Sequence, residues 1–412
     1  MQPDTSDTGR WMTNKEPRKG DLSVAKGLIT EKDKLVWPSY LSLWQIDSTY
    51  NKSGTMSFAE LRKSLALNDS NELIINDKDI LDSTRGVVKE LAATAFKMIV
   101  KGENPLNVSL PARVLENCSQ LEKNCELFNS VHLLHKAVKV SEPIEKLKYV
   151  MTMFACNFYC GIGPKKPFNP YLGETLQGYF KDGTKVYFEH LSHKPMIDAF
   201  LLINEELGFR MHGNIQIKPK FTGNELNVQF KGIITVELNG VKIYVQLCDM
   251  RNSGLMMGKF KLRLKGNFFF YYPDAKLKGY ITVGANKDSK MTDNLSGGIA
   301  AHDTPVDMSS GCLQKSLFPK KKGETQLIST IQGNWLSAIR FDNKLYWEQS
   351  MECMRLLMYK DVLPSDWRYR EDLLWKLHGN AKSSNAWKYK LEAIQRKFRK
   401  LRQAYRKSKK KH

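Results

Sequence analysis

Lys165 to Phe200 reads KKPFNPYLGETLQGYFKDGTKVYFEHLSHKPMIDAF, and the architecture is decided there. A lysine pair opens it on a Pro-Asn-Pro corner. Proline fixes φ and removes an amide donor, so Lys165, Lys166 and Asn169 sit at a rigid turn outside any helix. Two runs of strand character follow, from Leu176 to Phe180 and from Val186 to Leu191, flanking Asp182-Gly183, the dipeptide that most favours a tight hairpin. The second run delivers Glu189, His190, His193 and Lys194 to its end, where Pro195 stops it. Cationic and proton-carrying side chains gathered beside a rigid corner suit a multiply charged anion, most naturally a phosphate.

Downstream, the period-two pattern continues to about Val283 in FRMHGNIQIK, ELNVQFKGIITVEL, VKIYVQLCDM, GKFKLRLKGNFFFYY and KLKGYITV, separated by Gly, Asn or Pro-Asp turns. Many antiparallel strands at short spacing predict a sheet that closes on itself, since closure removes exposed edges. The fold class is therefore α+β, mainly β: a large antiparallel barrel over 165–350 whose Ile, Val, Leu, Phe and Met lining suits a lipid tail. From Asn286 to Glu324 the pattern gives way to Asp, Ser, Gly and Pro, and an inserted flexible loop is predicted, with Lys320 to Lys322 either a membrane-facing patch or a solvated charge run. Strand character resumes at TQLISTIQGNWLSAIRF and KLYWE. Residues 351–412 read as a helical, basic region.

Upstream, Pro143 to Tyr159 is apolar around most of its circumference and predicts a buried helix. Gly86 to Gly102 carries an apolar stripe through Val87, Leu91, Phe96 and Val100, and Leu110-Pro111 precedes a second short helix, so 85–160 is read as helical. Residues 37–84 are read as a small helical segment. Within it, Thr49 to Glu60 keeps the glycine and terminal glutamate of a calcium-binding loop but puts Thr where the first aspartate belongs, and a remnant is the reading favoured by ligand count. Residues 1–36 are polar, with little periodicity, and are expected to be flexible.

The 412 residues are 42% hydrophobic and 10% aromatic, enough for a sizeable core, and the net charge is +21. That charge favours polyanionic partners: nucleic acid, an anionic leaflet or a phosphorylated small molecule. No apolar window is long enough to span a bilayer and the N-terminus lacks the apolar centre of a signal peptide, so a cytoplasmic protein, peripheral at membranes, is expected. The seven cysteines include no C-x-x-C pair, and neither a disulfide frame, a metal site nor a cofactor is suggested.

NPYLGET and EHLSHKP resemble the two signature segments, NP-x-LGE and EQVSHHPP, of the oxysterol-binding-protein-related lipid-transfer proteins. In the second, His190 stands for the usual Gln, Lys194 for the second His and Met196 for the second Pro. LPSDWRYREDL and the later W-K-x-K-L-E-x-x-Q-R helix resemble the family's closing region. The resemblance implies a sequestered lipid and a phosphoinositide headgroup held at the barrel mouth by Lys165 or Lys166, Asn169, His193, Lys194, Lys388 and Arg396, with Glu392 holding Lys388. Of the two lysines, Lys166 matches the family better. It also implies a lid over the lipid tail, with Leu110, Pro111, Val114 and Leu115 in it. Lys388, Glu392 and Arg396 fall at i, i+4 and i+8, one helix face, which by itself is also the pattern of a surface ladder.

The function implied is non-enzymatic lipid binding and transfer, in which phosphatidylinositol 4-phosphate exchanges with a second lipid, a phospholipid such as phosphatidylserine or a sterol. The competing class is a basic nucleic-acid-binding protein. Against it, the basic residues cluster at the signature stretch and the C-terminus, and the strand aromatics alternate as core residues do. A hydrolase built on His193, Lys166 and Glu189 lacks any accompanying GxSxG, Walker or zinc pattern.

Overall fold

The computed structural model describes 109–161, 165–222, 224–284, 293–309, 311–318 and 326–409, together with short pieces between 55 and 100. The expected calcium-type loop, the 1–36 tail and Lys320 to Lys322 lie outside the described residues, apart from two strand residues of that loop. The chain divides into two compact units, one of 42–392 and one of 393–412 with 1–41.

In the first unit, short strands β1 (Thr55–Met56), β2 (Leu65–Leu67) and β3 (Leu73–Ile75) precede β4 (Leu115–Ser119), helices α1 (Gln120–Glu126), α2 (His132–Lys139) and α3 (Pro143–Gly161), and β5 (Lys166–Phe168). A meander follows: β6 (Thr175–Tyr179), β7 (Lys185–His193), β8 (Met196–Asn204), β9 (Phe209–Thr222), β10 (Glu225–Lys231), β11 (Ile234–Leu238), β12 (Val241–Gln246), β13 (Asp249–Ser253), β14 (Lys261–Tyr272) and β15 (Leu277–Val283). After it come β16 (Asn294–Ala301), α4 (Leu313–Leu317), β17 (Ser329–Asn334), β18 (Ala338–Phe341), β19 (Lys344–Glu348), β20 (Cys353–Met354), β21 (Leu357–Met358), α5 (Glu371–Leu377) and α6 (Ala381–Lys409). Apart from β1 with β20 and β4 with β5, which form separate two-stranded sheets, the strands form a closed barrel. The long strands β9 and β14 are each shared along their length: β9 pairs with β11 and then β10, β14 with β13 and then β12.

The Asp-Gly signal marks its turn. Phe180 donates its N–H to Thr184 O at 2.8 Å, and Asp182 accepts from both the amide and the hydroxyl of Thr184, which tightens the corner between β6 and β7. Helix α3 is buried from Met151 to Phe158 without a polar face toward water, so it occupies the inner side of the barrel wall. Phe154 and Phe158 meet Phe270 and Phe268 of β14 edge-on, at 6.2 and 5.8 Å, and part of the interior is therefore filled by helix. The opposite parity of β14, Phe269 and Tyr271, is covered by Leu313 and Leu317 of α4.

Three expectations are corrected. The stretch 286–324 is not one loop: Asn294–Ala301 is a full barrel strand between β15 and β17, and 313–317 is a packed helix. Its glycines disguised it. A Cβ on Gly297 would lie 2.2 Å from Tyr280 O and one on Gly298 2.3 Å from Ser329 O, so close neighbouring backbone, not a turn, requires them. Second, the described part of 37–84 includes strands, with β3 adding to β14 through Ile74 and Lys261, because three apolar residues in an extended row satisfy an exposed sheet edge. Third, 351–370 is not helical: it holds β20, β21 and a 3-10 turn at Trp367–Tyr369 before α5 begins. The segment after Pro111 also forms a 3-10 turn and β4 before its helix.

Candidate functional site

β4 and β5 run parallel, with Leu115 beside Lys166 and Ser119 beside Phe168, so the proline corner is pinned to the segment that follows Leu110-Pro111. That segment is in turn tied to α6. Ala112 donates its N–H to Asn385 Oδ1 at 3.0 Å, and Ser109 Oγ donates to Glu392 Oε1 at 2.9 Å. Lys388, buried on the same helix face, donates to Glu392 Oε1 at 2.6 Å and to Ser109 Oγ. Three stretches far apart in sequence thus meet at one place. Leu115 is buried; Leu110, Pro111 and Val114 are half-buried along this strap.

Lys166 is the group that the arrangement leaves under stress. Its ammonium donates to Pro167 O at 3.0 Å and to Asn169 Oδ1, both neutral oxygens. It keeps accessible surface while protein hems it in, the condition of a side chain on a concave wall. Desolvation, and then the positive charges of Lys388 and Arg370, bring its pKa down to about 8, with Glu392 opposing. An anion of two charges set between Lys166 and Lys388 would offset that repulsion.

Behind this rim lies a charge cluster of another kind. Glu174, from NPYLGET, is buried and accepts from Ser119 Oγ, from the Tyr171 amide at 2.9 Å and from Arg370 Nη1 at 3.0 Å. Arg370 forks onto Asp372 through Nε and Nη2, at 3.1 and 2.9 Å, donates to Asn169 O at 2.9 Å, and lies 4.4 Å from the Tyr171 ring centroid. Tyr171 Oη donates to Asp372 Oδ2 at 3.0 Å. Burial pushes the Glu174 carboxyl up, against the pull of Arg370.

At the end of β7 the His193 ring stands 5.9 Å from that of His190, nearly edge-on. His190 is fully buried, its Nδ1 2.6 Å from Asp198 Oδ1, and Asp198 Oδ2 accepts from Asn124 of α1 at 2.9 Å. His190 is therefore a supporting residue that orients the strand end. Lys194 is exposed, at the turn into β8.

Of the residues singled out in the sequence, the structure brings together Lys166, Asn169, Lys388 and Glu392. Lys165 turns elsewhere: its charge bears on Lys376, whose pKa burial and Lys165 together lower. Arg396 belongs to the second unit, as does α6 from Ala393. Sequence reasoning passed over Ser109, Glu174, Arg370 and Asp372. The R-Y-R-E-D run at 368–372 carried a signal, because like and unlike charges packed into five residues beside a buried Trp need internal partners. Among the described residues no cluster has the makings of a metal site, and no helix is long and apolar enough to cross a membrane.

A family model described as Oxysterol-binding protein matches residues 96–412. The chain is similar to Oxysterol-binding protein 9 of Dictyostelium discoideum, 25% identical over 338 residues, covering 78% of this chain and 76% of that protein. It is similar to Oxysterol-binding protein-related protein 8 of Homo sapiens, 26% identical over 326 residues, which span 75% of this chain and only 34% of the human one. Among solved structures it is similar to Osh3 ORD from Saccharomyces cerevisiae in complex with PI(4)P, at 20% identity and a TM-score of 0.58 over 75% of this chain and 84% of that one. The Osh1 ORD domain in complex with ergosterol gives 17% identity and 0.57, over 73% and 77%. At such identities the likeness speaks for the fold.

Proposed function

This chain belongs to the oxysterol-binding protein family, and on that premise we propose that it binds a lipid in its barrel and carries it between membranes. Phosphatidylinositol 4-phosphate is one cargo, its phosphate held by Lys166, Asn169, Lys388, His193 and Lys194, with Glu392 and Ser109 fixing Lys388. The reading rests on the convergence of Lys166 and Lys388. Lys166, on β5 beside Leu115, and Lys388, bonded to Ser109 at the start of the strap that leads into β4, are drawn to one place from 222 positions apart in sequence, and the charge of Lys388 helps to lower the Lys166 pKa. That PI(4)P occupies the Osh3 ORD, and ergosterol the Osh1 ORD, supports a phosphoinositide and a neutral lipid as alternative occupants of one barrel. The second cargo is a phospholipid such as phosphatidylserine or a sterol. Competition of two lipids for one cavity lets the phosphoinositide gradient drive the other uphill.

Burying acyl chains or a sterol gains roughly 25 cal/mol per Å2 of apolar surface, while a phosphate near the apolar interior demands fixed cations. His193→Ala with Lys194→Ala is expected to abolish extraction of phosphatidylinositol 4-phosphate from liposomes while binding of the second lipid persists. Equal loss of both would mean that the barrel end had lost its structure. Mass spectrometry of lipids copurifying with the protein names the cargo, and a protein that carries RNA and no lipid would end the proposal.

A further inference from the structure

Two hairpin ends of the barrel meet and expose apolar side chains together. Asn224 joins them: its Nδ2 donates to Met257 O at 2.8 Å, its Oδ1 accepts from the amides of Met256 and Met257, and its carbonyl accepts from Leu255 N at 3.2 Å. The loop from 254 to 259 is closed by Gly254 at φ +78°, where a Cβ would lie 2.1 Å from Lys259 O. At the joined tip Phe221 is 67% exposed, Met257 69% and Met256 40%. Such large apolar side chains, held out on a backbone fixed by four hydrogen bonds, are not a fraying end.

The tip has a defined position and charge. Met196, just after Lys194-Pro195, pairs with Ile217, and β9 runs on to Thr222. Phe221 is thus four residues beyond Ile217, about 13 Å farther along the strand, at the same barrel end as His193 and Lys194. Arg85 donates to Gly258 O, so a residue from well before the barrel strands also anchors this tip. Lys218, Lys220 and Lys259 are exposed around the apolar group. The one acid in 218–225 and 251–265, Glu225, is taken by Arg251 at 3.0 Å. A basic collar around a small apolar tip is complementary to an anionic lipid surface, where each basic residue near the leaflet contributes about 1 kcal/mol.

We propose that the joined tips form a seating prong: Phe221, Met256 and Met257 enter the interface of an anionic bilayer while Lys218, Lys220 and Lys259 meet its headgroups, which sets the barrel mouth against the membrane. The prong deepens the lipid-carrier reading and rests on it only in that a carrier must meet a bilayer. The test is cosedimentation of the full chain with phosphatidylcholine vesicles, with and without about a third phosphatidylserine. Wild-type protein binds the anionic vesicles more tightly than the neutral ones. Phe221→Ser with Met257→Ser lowers the partition coefficient on anionic vesicles by about tenfold or more, with melting temperature and copurified lipid unchanged. A second variant guards against misfolding: Phe221→Trp gains indole emission that brominated lipids quench. Undiminished partitioning of the double variant, or an added indole emission in Phe221→Trp that brominated lipids do not quench, overturns the proposal. So does sedimentation velocity in which wild-type protein self-associates and the double variant does not, since a second copy of the chain would then cover the tip. Loss of copurified lipid in wild-type protein would count against the carrier reading and leave the prong to its own assay.

Discussion

The rim around Lys166 and the cluster around Arg370 share ingredients and differ in balance. Both join the signature stretch to the C-terminal quarter, and both are held by short charge-assisted hydrogen bonds. In the cluster, Arg370 has two carboxylates, Glu174 and Asp372, each also bonded to Ser119, Tyr171 or a backbone amide. At the rim, Lys166 and Lys388 share the single carboxylate of Glu392, and Lys166 bonds neutral oxygens. A closed account of charge makes a strut, and an open one makes a site. The convergence of distant charged residues, taken alone, does not tell the two apart.

The largest effect should come from breaking the strut. Glu174→Ala leaves Arg370 buried with half its pairing gone, and removing one partner of a buried pair costs about 3–5 kcal/mol. Chemical denaturation would show the midpoint fall, and binding of every lipid would fall with it. If Glu174→Ala kept its stability and lost only phosphoinositide, the strut would have to be reassigned to the site.

Next is the rim. Lys166→Ala with Lys388→Ala should cut phosphatidylinositol 4-phosphate extraction by about a hundredfold, two charge-assisted contacts at roughly 1.5–3 kcal/mol each being more than enough. Stability should hold or rise, because without a ligand Lys166 lies beside other positive charges and bonds only neutral oxygens, while Glu392 remains near water. A drop in melting temperature as large as that of Glu174→Ala would erase the distinction between the regions.

The sequence shows one region better than the other, for physical reasons. NPYLGET and the Asp182-Gly183 turn are local: proline, glycine and a polar turn residue determine conformation without distant partners, and the corner and hairpin could be read directly. Lys166 could be proposed for the same reason. The partners of Glu174 could not, because nothing within the heptapeptide says that its glutamate is buried; only the fold brings Arg370 and Asp372 to it. The same limit hid Asn294–Ala301, whose glycines answer to neighbouring strands rather than to a turn. It hid the strands at Leu65–Leu67 and Leu73–Ile75, which are too short to form except as a pair whose second strand adds to β14.

A smaller effect distinguishes the regions by pH. With the pKa of Lys166 near 8, its charge is present below that pH and lost above it, and a bound dianion raises the pKa in turn. Affinity for phosphatidylinositol 4-phosphate should therefore fall by up to about tenfold between pH 7 and 9, once the uncharged form dominates. Lys166→Arg, which stays protonated, should flatten the profile. The strut offers no comparable titration there, because Arg370 is held in its charged form by Asp372 and Glu174. A profile unchanged by Lys166→Arg would assign the pH dependence to another group.

Ser109 tests how finely the rim is set. Its hydroxyl accepts from Lys388 and donates to Glu392, so it holds the pair in register without adding charge. Ser109→Ala removes both bonds, but Lys388 keeps Glu392 at 2.6 Å and the electrostatics barely change. Both lost bonds have a charged partner, and such bonds contribute about 1.5–3 kcal/mol to stability, but because the ion pair itself stays in place only a loss of roughly threefold in phosphoinositide affinity is expected, with no loss for the second lipid. A larger loss confined to the phosphoinositide would mean that the hydroxyl itself reaches the phosphate. An equal loss for both lipids would mean that it acts through the strap from Ser109 to Ala112, whose tie to Asn385 then could not hold the strap alone.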